Sequence, residues 1–264
     1  MVVNALVISG YGINCEEETK FAFERAGAKG KIVHINDLID RTEKLDNYQV
    51  LAFPGGFSYG DDTGSGNAFA NRIRNNLWDE IMKFFEQDKL VIGICNGFQI
   101  MANLGLFPAT DIYGKQEVAL THNTSARYED RWVDLHSEND SPWLRGIESL
   151  TLPIAHGEGR FYTDEETYSK LYQRRQIALR YCMGKTSLDQ NLEYNPNGSL
   201  KDIASITDQS GRIIGMMPHP ERAIDFTHLP HWTLIKEKLK REGREIPKEG
   251  PGLTIFKNSL VYFK

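Results

Sequence analysis

The chain predicts an α/β protein: a doubly wound, mostly parallel sheet with antiparallel strands added to it. Two observations carry this. Residues 2–8 (VVNALVI), 31–35 (KIVHI), 49–53 (QVLAF) and 89–94 (KLVIGI) are short apolar runs, as expected of parallel strands covered on both faces. Helical patterns separate these runs, whereas after Gly105 strand-like stretches follow one another with only turn-rich segments between them. Strand and helix in alternation imply right-handed crossovers in the first half, and the second half contributes mixed or antiparallel strands to the same sheet.

The first helix is predicted to open at Asn14, with Glu17 three residues on in a capping-box arrangement, and to close near Gly27. A second runs from 68 to 87, with Ile73, Leu77, Ile81 and Phe84 at helical spacing. Downstream, EVALTHN, RWVDLH, LPIAHG, QIALRY, DIASIT and RIIGMM read as strands, and the glycine of DQSGR marks a hairpin between IASIT and IIGMM. HWTLIKEKLKREG reads as a helix, followed by a Pro/Gly-rich joint (PKEGPG) and a last apolar segment, LTIFKNSLVYF. With 264 residues, 40% of them hydrophobic, and no internal repeat, a single domain over 1–264 is expected.

A formal charge of −5 without a basic cluster interleaved with aromatics argues against nucleic-acid binding. The N-terminal segment lacks a charged leader with a long apolar run, and no later stretch has the length of a membrane helix, so a soluble, cytoplasmic chain is expected. Three cysteines, Cys15, Cys95 and Cys182, include no C-x-x-C pair, which argues against a disulfide framework and a structural zinc site.

Chemistry concentrates at Cys95. The apolar run at 89–94 ends in Gly93-Ile-Cys95-Asn-Gly97, and a sharp strand-to-helix turn carrying a nucleophile has no room for side chains two residues before and after it. The first turn of a helix also favours a thiolate. The alternative is a small buried cysteine at a strand end. A base is offered by His219, held between Pro218 and Pro220, and Glu221 two positions later would lie on the same side of an extended backbone and orient the imidazole. Against this stands a rigid loop whose histidine has no task. Gly55-Gly56 offers backbone N–H groups at the carboxyl edge of the sheet, and the N–H of Asn96 follows the nucleophile. Without a Gly-Lys-Ser/Thr ending, the Gly-Gly loop is not a P-loop.

Together GICNGFQIMANLG, FPGGFSYGDD, NTSARYEDRW, IAHGEGRF, NPNGS and GMMPHPERA, spread in this order from residue 53 to 223, resemble the triad-type, class I glutamine amidotransferases, which share a flavodoxin-like fold. The closer likeness is to the glutaminase components of phosphoribosylformylglycinamidine synthases in purine biosynthesis. The resemblance implies Cys95 as nucleophile, His219 as base and Glu221 as orienting acid, with Gly56 and Asn96 as the oxyanion hole. It implies Gly55, Gln99, Asn123, Ser125 and Arg127 as substrate-binding, and places Arg131, His156 and Arg160 near the pocket or the partner face by motif only. It further implies glutamine as substrate, no cofactor or metal on this chain, ATP and magnesium on a large synthase subunit, and leaves a small bridging subunit open. Residues 225–250 lengthen the usual connection to the terminal segment and read as an insertion; Cys15 and Cys182 read as packing. Two other readings stay open at this point: a self-contained cysteine hydrolase of similar fold, such as a γ-glutamyl hydrolase or a DJ-1-like deglycase, and a non-catalytic regulatory binding module.

Overall fold

The computed structural model describes residues 2–264. Eleven strands occur among the described residues: β1 (Asn4–Ser9), β2 (Lys29–His34), β3 (Val50–Phe53), β4 (Leu90–Ile94), β5 (Ala119–Thr121), β6 (Glu129–Ser137), β7 (Ser149–His156), β8 (Arg160–Tyr162), β9 (Ile177–Cys182), β10 (Ile203–Thr207) and β11 (Ile213–Met216). Nine form one sheet in the order β2-β1-β3-β4-β11-β10-β9-β6-β7. The first five pair in parallel, and from β11 onward every pairing is antiparallel. This is the predicted doubly wound sheet with its antiparallel extension. Every residue of β3, β4, β10 and β11 is buried, which is why their sequences are apolar runs without alternation.

The helices are α1 (Glu16–Ala26), α2 (Ile35–Ile39), α3 (Asn67–Asn76), α4 (Trp78–Glu86), α5 (Asn96–Leu104), α6 (Glu165–Gln173), α7 (Lys185–Gln190), α8 (Trp232–Arg241) and α9 (Leu253–Tyr262). Phe23 of α1 meets Phe256 of α9 edge to face, with ring centroids 4.9 Å apart, so the C-terminal segment is a helix that closes back on the first one.

Four local expectations are corrected. The helix expected over 68–87 is two, because Leu77 adopts φ −133° between α3 and α4. Asn75-Asn76 is a weak helical pair, and Ile73, Leu77 and Ile81 stay buried on either side of the break. The capping box at Asn14 and Glu17 does not form: the N–H groups of Asn14 and Cys15 both donate to the Gly55 carbonyl, and Cys15 becomes the N-cap without a side-chain hydrogen bond. Ile35 is not the end of a strand but the start of α2, whose Asn36 N–H donates to His34 Nδ1. The EVALTHN strand does not join the main sheet; β5 pairs antiparallel with β8, a strand the sequence reading missed.

The segment 225–250 is closed at its base by a bridge between Asp225 and Glu249 and by Phe226 N–H donating to the Lys248 carbonyl. Its helix α8 buries Leu239 and leaves most of its surface polar. The PKEGPG joint has a more specific place. Gly250 and Gly252 donate to the carbonyls of Ile224 and Ala223, and a Cβ on Gly252 would overlap the Pro220 carbonyl oxygen. The joint is thereby pressed on the loop that carries His219.

The tightest point of the fold is the β4–α5 turn. A Cβ on Gly97 would overlap the Phe53 carbonyl oxygen of β3, a backbone atom with no freedom to move aside. Gly97→Ala is therefore expected to cost on the order of 3 kcal/mol or to prevent folding, measured as a loss of urea midpoint or of soluble protein.

Candidate active site

Parallel neighbours put their carboxyl ends on one edge, and β1, β3, β4 and β11 are successive parallel neighbours. The segments 10–15, 54–57, Cys95 and 217–221 therefore emerge side by side. Cys95 follows β4 directly, with φ 51° and ψ −108°, a backbone conformation that non-glycine residues seldom adopt. It is held there by its N–H donating to the Met216 carbonyl at 2.8 Å and by the absence of side chains on either flank. A Cβ on Gly93 would come within 2.9 Å of the Gly97 backbone. The predicted reason for the two glycines is thus the observed one.

His219 and Glu221 are both fully buried, and His219 Nδ1 lies 2.5 Å from Glu221 Oε1. The expected geometry is corrected in one respect: Glu221 sits in a 3₁₀ turn, Pro220–Arg222, and it is this turn, rather than a continuous extended backbone, that brings the carboxylate back to the imidazole. The His219 N–H donates to the Pro153 carbonyl, which ties the loop to β7. Burial opposes the imidazolium, but the charges of Glu221 and Cys95 outweigh it and push the His219 pKa up to about 10. Its Nε2 has no hydrogen-bond partner among the described residues, and Cys95 Sγ is 3.7 Å from the Ala155 carbonyl oxygen.

Two backbone N–H groups lie on the segments that flank Cys95. Gly56 is held at φ +151° by an isolated bridge to Ile13 that employs the N–H groups of Phe57 and Asn14, leaving the Gly56 N–H outside it. Asn96 is the first residue of α5, where N–H groups lack intrahelical acceptors. Gly55 stands against both candidate groups: a Cβ there would lie 2.9 Å from His219 Cε1 and 3.5 Å from Cys95 Cβ.

The remaining predicted residues separate into two groups. Gln99 is buried; its Nε2 donates to the Glu158 carbonyl, and its Oε1 accepts from Asn96 Nδ2 at 2.8 Å. Asn123 is a brace: Nδ2 donates to the carbonyls of Arg127 and His156, and Oδ1 accepts from Gly159 N–H and His156 Nδ1. Because that oxygen only accepts, His156 carries its proton on Nδ1. Burial and the neighbouring His219 lower the His156 pKa to about 3, so it is neutral. Ser125 is exposed and donates to Glu129. Arg127 is exposed and lines a cavity of about 490 Å³ beside the site. Arg131 donates to the Glu193 carbonyl, away from the triad's hydrogen bonds. In NPNGS, Asn197 is buried and donates to the Gly159 carbonyl, so this loop supports the 156–160 wall.

Sequence reasoning missed the groups behind Glu221. Cys15 Sγ is 3.1 Å from Arg222 Nη2, and Arg222 Nε donates to Glu18 at 2.8 Å. The donor atoms of Cys15, Glu18, His219 and Glu221 lie within 4.8 Å of one another, but the Arg222 guanidinium already stands among them and balances their charge. Burial, then the charges of Glu221 and Glu18, push the Cys15 thiol far above its ordinary value, so it is a neutral packing group. The signal for it was positional: Cys15 follows β1 as His219 follows β11.

Because the His219 pKa rises from 6.5 to about 10 on folding, its contribution to stability is complete below pH 6.5 and is lost as the pH climbs through about 10. The wild type is accordingly expected to lose stability more steeply than Glu221→Gln between about pH 6.5 and about pH 10, as read by urea denaturation. Parallel slopes would mean that Glu221 does not hold the imidazolium.

Among known proteins, residues 2–263 match the CobB/CobQ-like glutamine amidotransferase domain. The chain is 54% identical to phosphoribosylformylglycinamidine synthase subunit PurQ of Methanococcus maripaludis, covering 100% of this chain and 98% of the relative. It is 42% identical to the subunit of the same name from Dehalococcoides mccartyi, covering 98% and 97%. The solved structure of PurLQS from Thermotoga maritima contains a chain that superposes with a TM-score of 0.74 at 32% identity, covering 100% of both. A glutamine amidotransferase from the same organism, 15% identical with a TM-score of 0.52 over 99% and 97%, shares the fold. With its whole length matched by the family model and by close relatives, the chain belongs to the CobB/CobQ-like glutamine amidotransferase family.

Proposed function

We propose that this chain is the glutaminase subunit of a phosphoribosylformylglycinamidine synthase, acting in purine biosynthesis in the cytoplasm. The observation that carries the chemistry is the buried His219–Glu221 pair set beside a cysteine on a strained strand-to-helix turn. The subunit assignment is supported by full-length identity of 54% to a protein of that name. Among the described residues no helix is long and apolar enough to cross a membrane, which accords with the assigned compartment.

Cys95, as thiolate beside the protonated His219, attacks the side-chain amide carbon of glutamine. The carbonyl oxygen becomes an oxyanion between the N–H groups of Gly56 and Asn96, which are pre-oriented and cost no reorganisation. Collapse of the tetrahedral adduct breaks the C–N bond, and His219 returns a proton so that ammonia leaves and a glutamyl thioester remains on Cys95. Water, deprotonated by His219, then attacks the thioester; glutamate departs and the thiol is restored. Glu221 keeps the imidazole oriented through Nδ1 at each step. Gln99 and Gly55 shape the floor of the substrate site, and Asn123 holds its wall by bracing 156–159. Ser125, on the same segment, belongs to the rim.

Ammonia free in water would be lost, so it passes under cover to a large synthase subunit, which holds ATP and magnesium and activates the formyl amide oxygen of formylglycinamide ribonucleotide for displacement. A small subunit bridging the two is part of the proposal. The chain itself, from residue 1 to 264, acts as one domain with 225–250 as an insertion.

The test is glutamate release from glutamine, with and without the synthase subunit, ATP and formylglycinamide ribonucleotide. Release is expected to be low for the isolated chain, to rise on docking, and to fall by at least about 10⁴-fold in Cys95→Ala. Release indifferent to the partner would favour the self-contained hydrolase, release surviving loss of Cys95 would move the active site elsewhere, and no release under any condition would favour the binding module.

A further inference from the structure

The segment that carries Gly56 is built from backbone conformations that a free loop would not keep. Gly56 itself has φ +151°, and around it stand three non-glycine residues at positive φ: Tyr11 at 50°, Tyr59 at 54° and Asp61 at 56°. Such backbone persists only where its surroundings over-determine it. Part of the hold comes from the segment after β1. Phe57 N–H donates to the Gly12 carbonyl and Tyr59 N–H to the Tyr11 carbonyl, and a Cβ on Gly12 would overlap the Phe57 carbonyl oxygen. Ser58 N–H donates to Asn96 Oδ1 at 3.1 Å.

Side chains complete the hold, and they converge on Arg72 of α3. The rings of Tyr11 and Tyr59 stack, with centroids 4.9 Å apart and an interplanar angle of 11°. The Arg72 guanidinium carbon lies 4.8 Å from the Tyr11 ring centroid, a cation–π distance. Its Nη2 donates to Asn36 Oδ1 at 2.6 Å, and the same oxygen accepts the Tyr11 hydroxyl at 3.1 Å. Tyr59 meets Phe69, one turn before Arg72 on the same helix, with ring centroids 6.5 Å apart.

Helix α3 is in turn fixed to α5, which opens with Asn96. A Cβ on Gly66, the N-cap of α3, would lie 2.6 Å from the Ile100 backbone nitrogen. Asn103 Nδ2 donates to the Ser65 carbonyl at 2.9 Å, and Arg74 Nη2 to the Asn103 carbonyl at 2.8 Å. Arg72 thus stands where the Gly56 segment is fastened to the helix that bears the Asn96 N–H.

Resting on the glutaminase reading, we propose that Arg72 is a positioning residue of the oxyanion hole: through the stacked Tyr11 and Tyr59 it fixes the Gly56 N–H relative to that of Asn96. Its effect is confined to the steps in which charge develops on the substrate oxygen. A slightly displaced donor still admits the neutral amide but no longer meets the oxyanion.

The experiment measures glutamate release by the complex with the synthase subunit. In parallel it measures the rate at which iodoacetamide alkylates Cys95, a displacement at saturated carbon that forms no oxyanion. Arg72→Met is expected to lower kcat by on the order of 10-fold, to keep KM for glutamine within about 2-fold of the wild type, and to leave the alkylation rate unchanged. Arg72→Lys, which keeps a cation for the Tyr11 ring, should restore part of the loss. Tyr59→Leu removes the stack and should give the same pattern, with the double variant no slower than the slower single one, as expected of residues that act as a unit. Wild-type kcat in Arg72→Met overturns the assignment. So does a fall in kcat matched by a fall in alkylation, which marks a general loosening of the site, and so does a rise in KM at unchanged kcat. If Arg72→Met yields no folded protein, Arg72→Lys and Tyr59→Leu are read by the same criteria. A wild-type complex that releases no glutamate at all would instead overturn the glutaminase reading, and this assignment with it.

Discussion

Everything at this site depends on how closely β3 and α5 approach around Cys95. The turn holds a non-glycine residue at positive φ, a conformation that persists only where the surroundings over-determine it. Here the surroundings are backbone: Gly97 against the Phe53 carbonyl, Gly93 against Gly97, and the Cys95 N–H bonded to Met216 of the neighbouring strand. The consequence is a cysteine lifted off the sheet edge at the start of α5, with the Gly55-Gly56 loop beside it.

The second constraint is electrostatic. A carboxylate and an imidazole fully enclosed by protein stabilise each other's charge, and Cys95, as thiolate, adds to the negative field around the ring. The Arg222 guanidinium lies 4.0 Å from Glu221 and is itself occupied by Glu18 and Cys15. Glu221 is therefore flanked by a cation on one side and by the imidazole on the other, and its shorter contact, 2.5 Å, is to the imidazole.

A third layer holds the walls in place. Asn123 uses both ends of its amide to join 127, 156 and 159, and Asn197 fastens Gly159 from the other side. The Gly250–Gly252 joint presses on the turn that follows His219. These contacts fix backbone segments, so the groups facing a substrate are largely peptide N–H groups, carbonyls and a few charges on rigid supports.

The apolar runs made the parallel half of the sheet legible, because strands covered on both faces must be apolar throughout. The spacing Gly93-x-Cys95-x-Gly97 singled out Cys95 as the candidate nucleophile, and the structure shows that its two flanking positions have no space for a Cβ. His219 was legible from its prolines and Glu221 from its proximity, although the turn that joins them was not. The family motif placed His156 near the pocket or the partner face, but no spacing in the chain could reveal that β7 reaches Cys95. In the sheet order, β7 lies five strands from β4, which at the usual spacing is about 24 Å on a flat sheet. Yet Ala155 at its end is 3.7 Å from Cys95 Sγ, so the antiparallel half curls over the site and delivers His156, Gly157 and Glu158 to it. Curvature of that kind is a sum over many twisted pairings, as is the convergence of Cys15, Arg222 and Glu18 behind the triad. Periodicity and motif spacing are local, and so they pointed to the candidate reacting groups while the curl of the sheet decided what surrounds them.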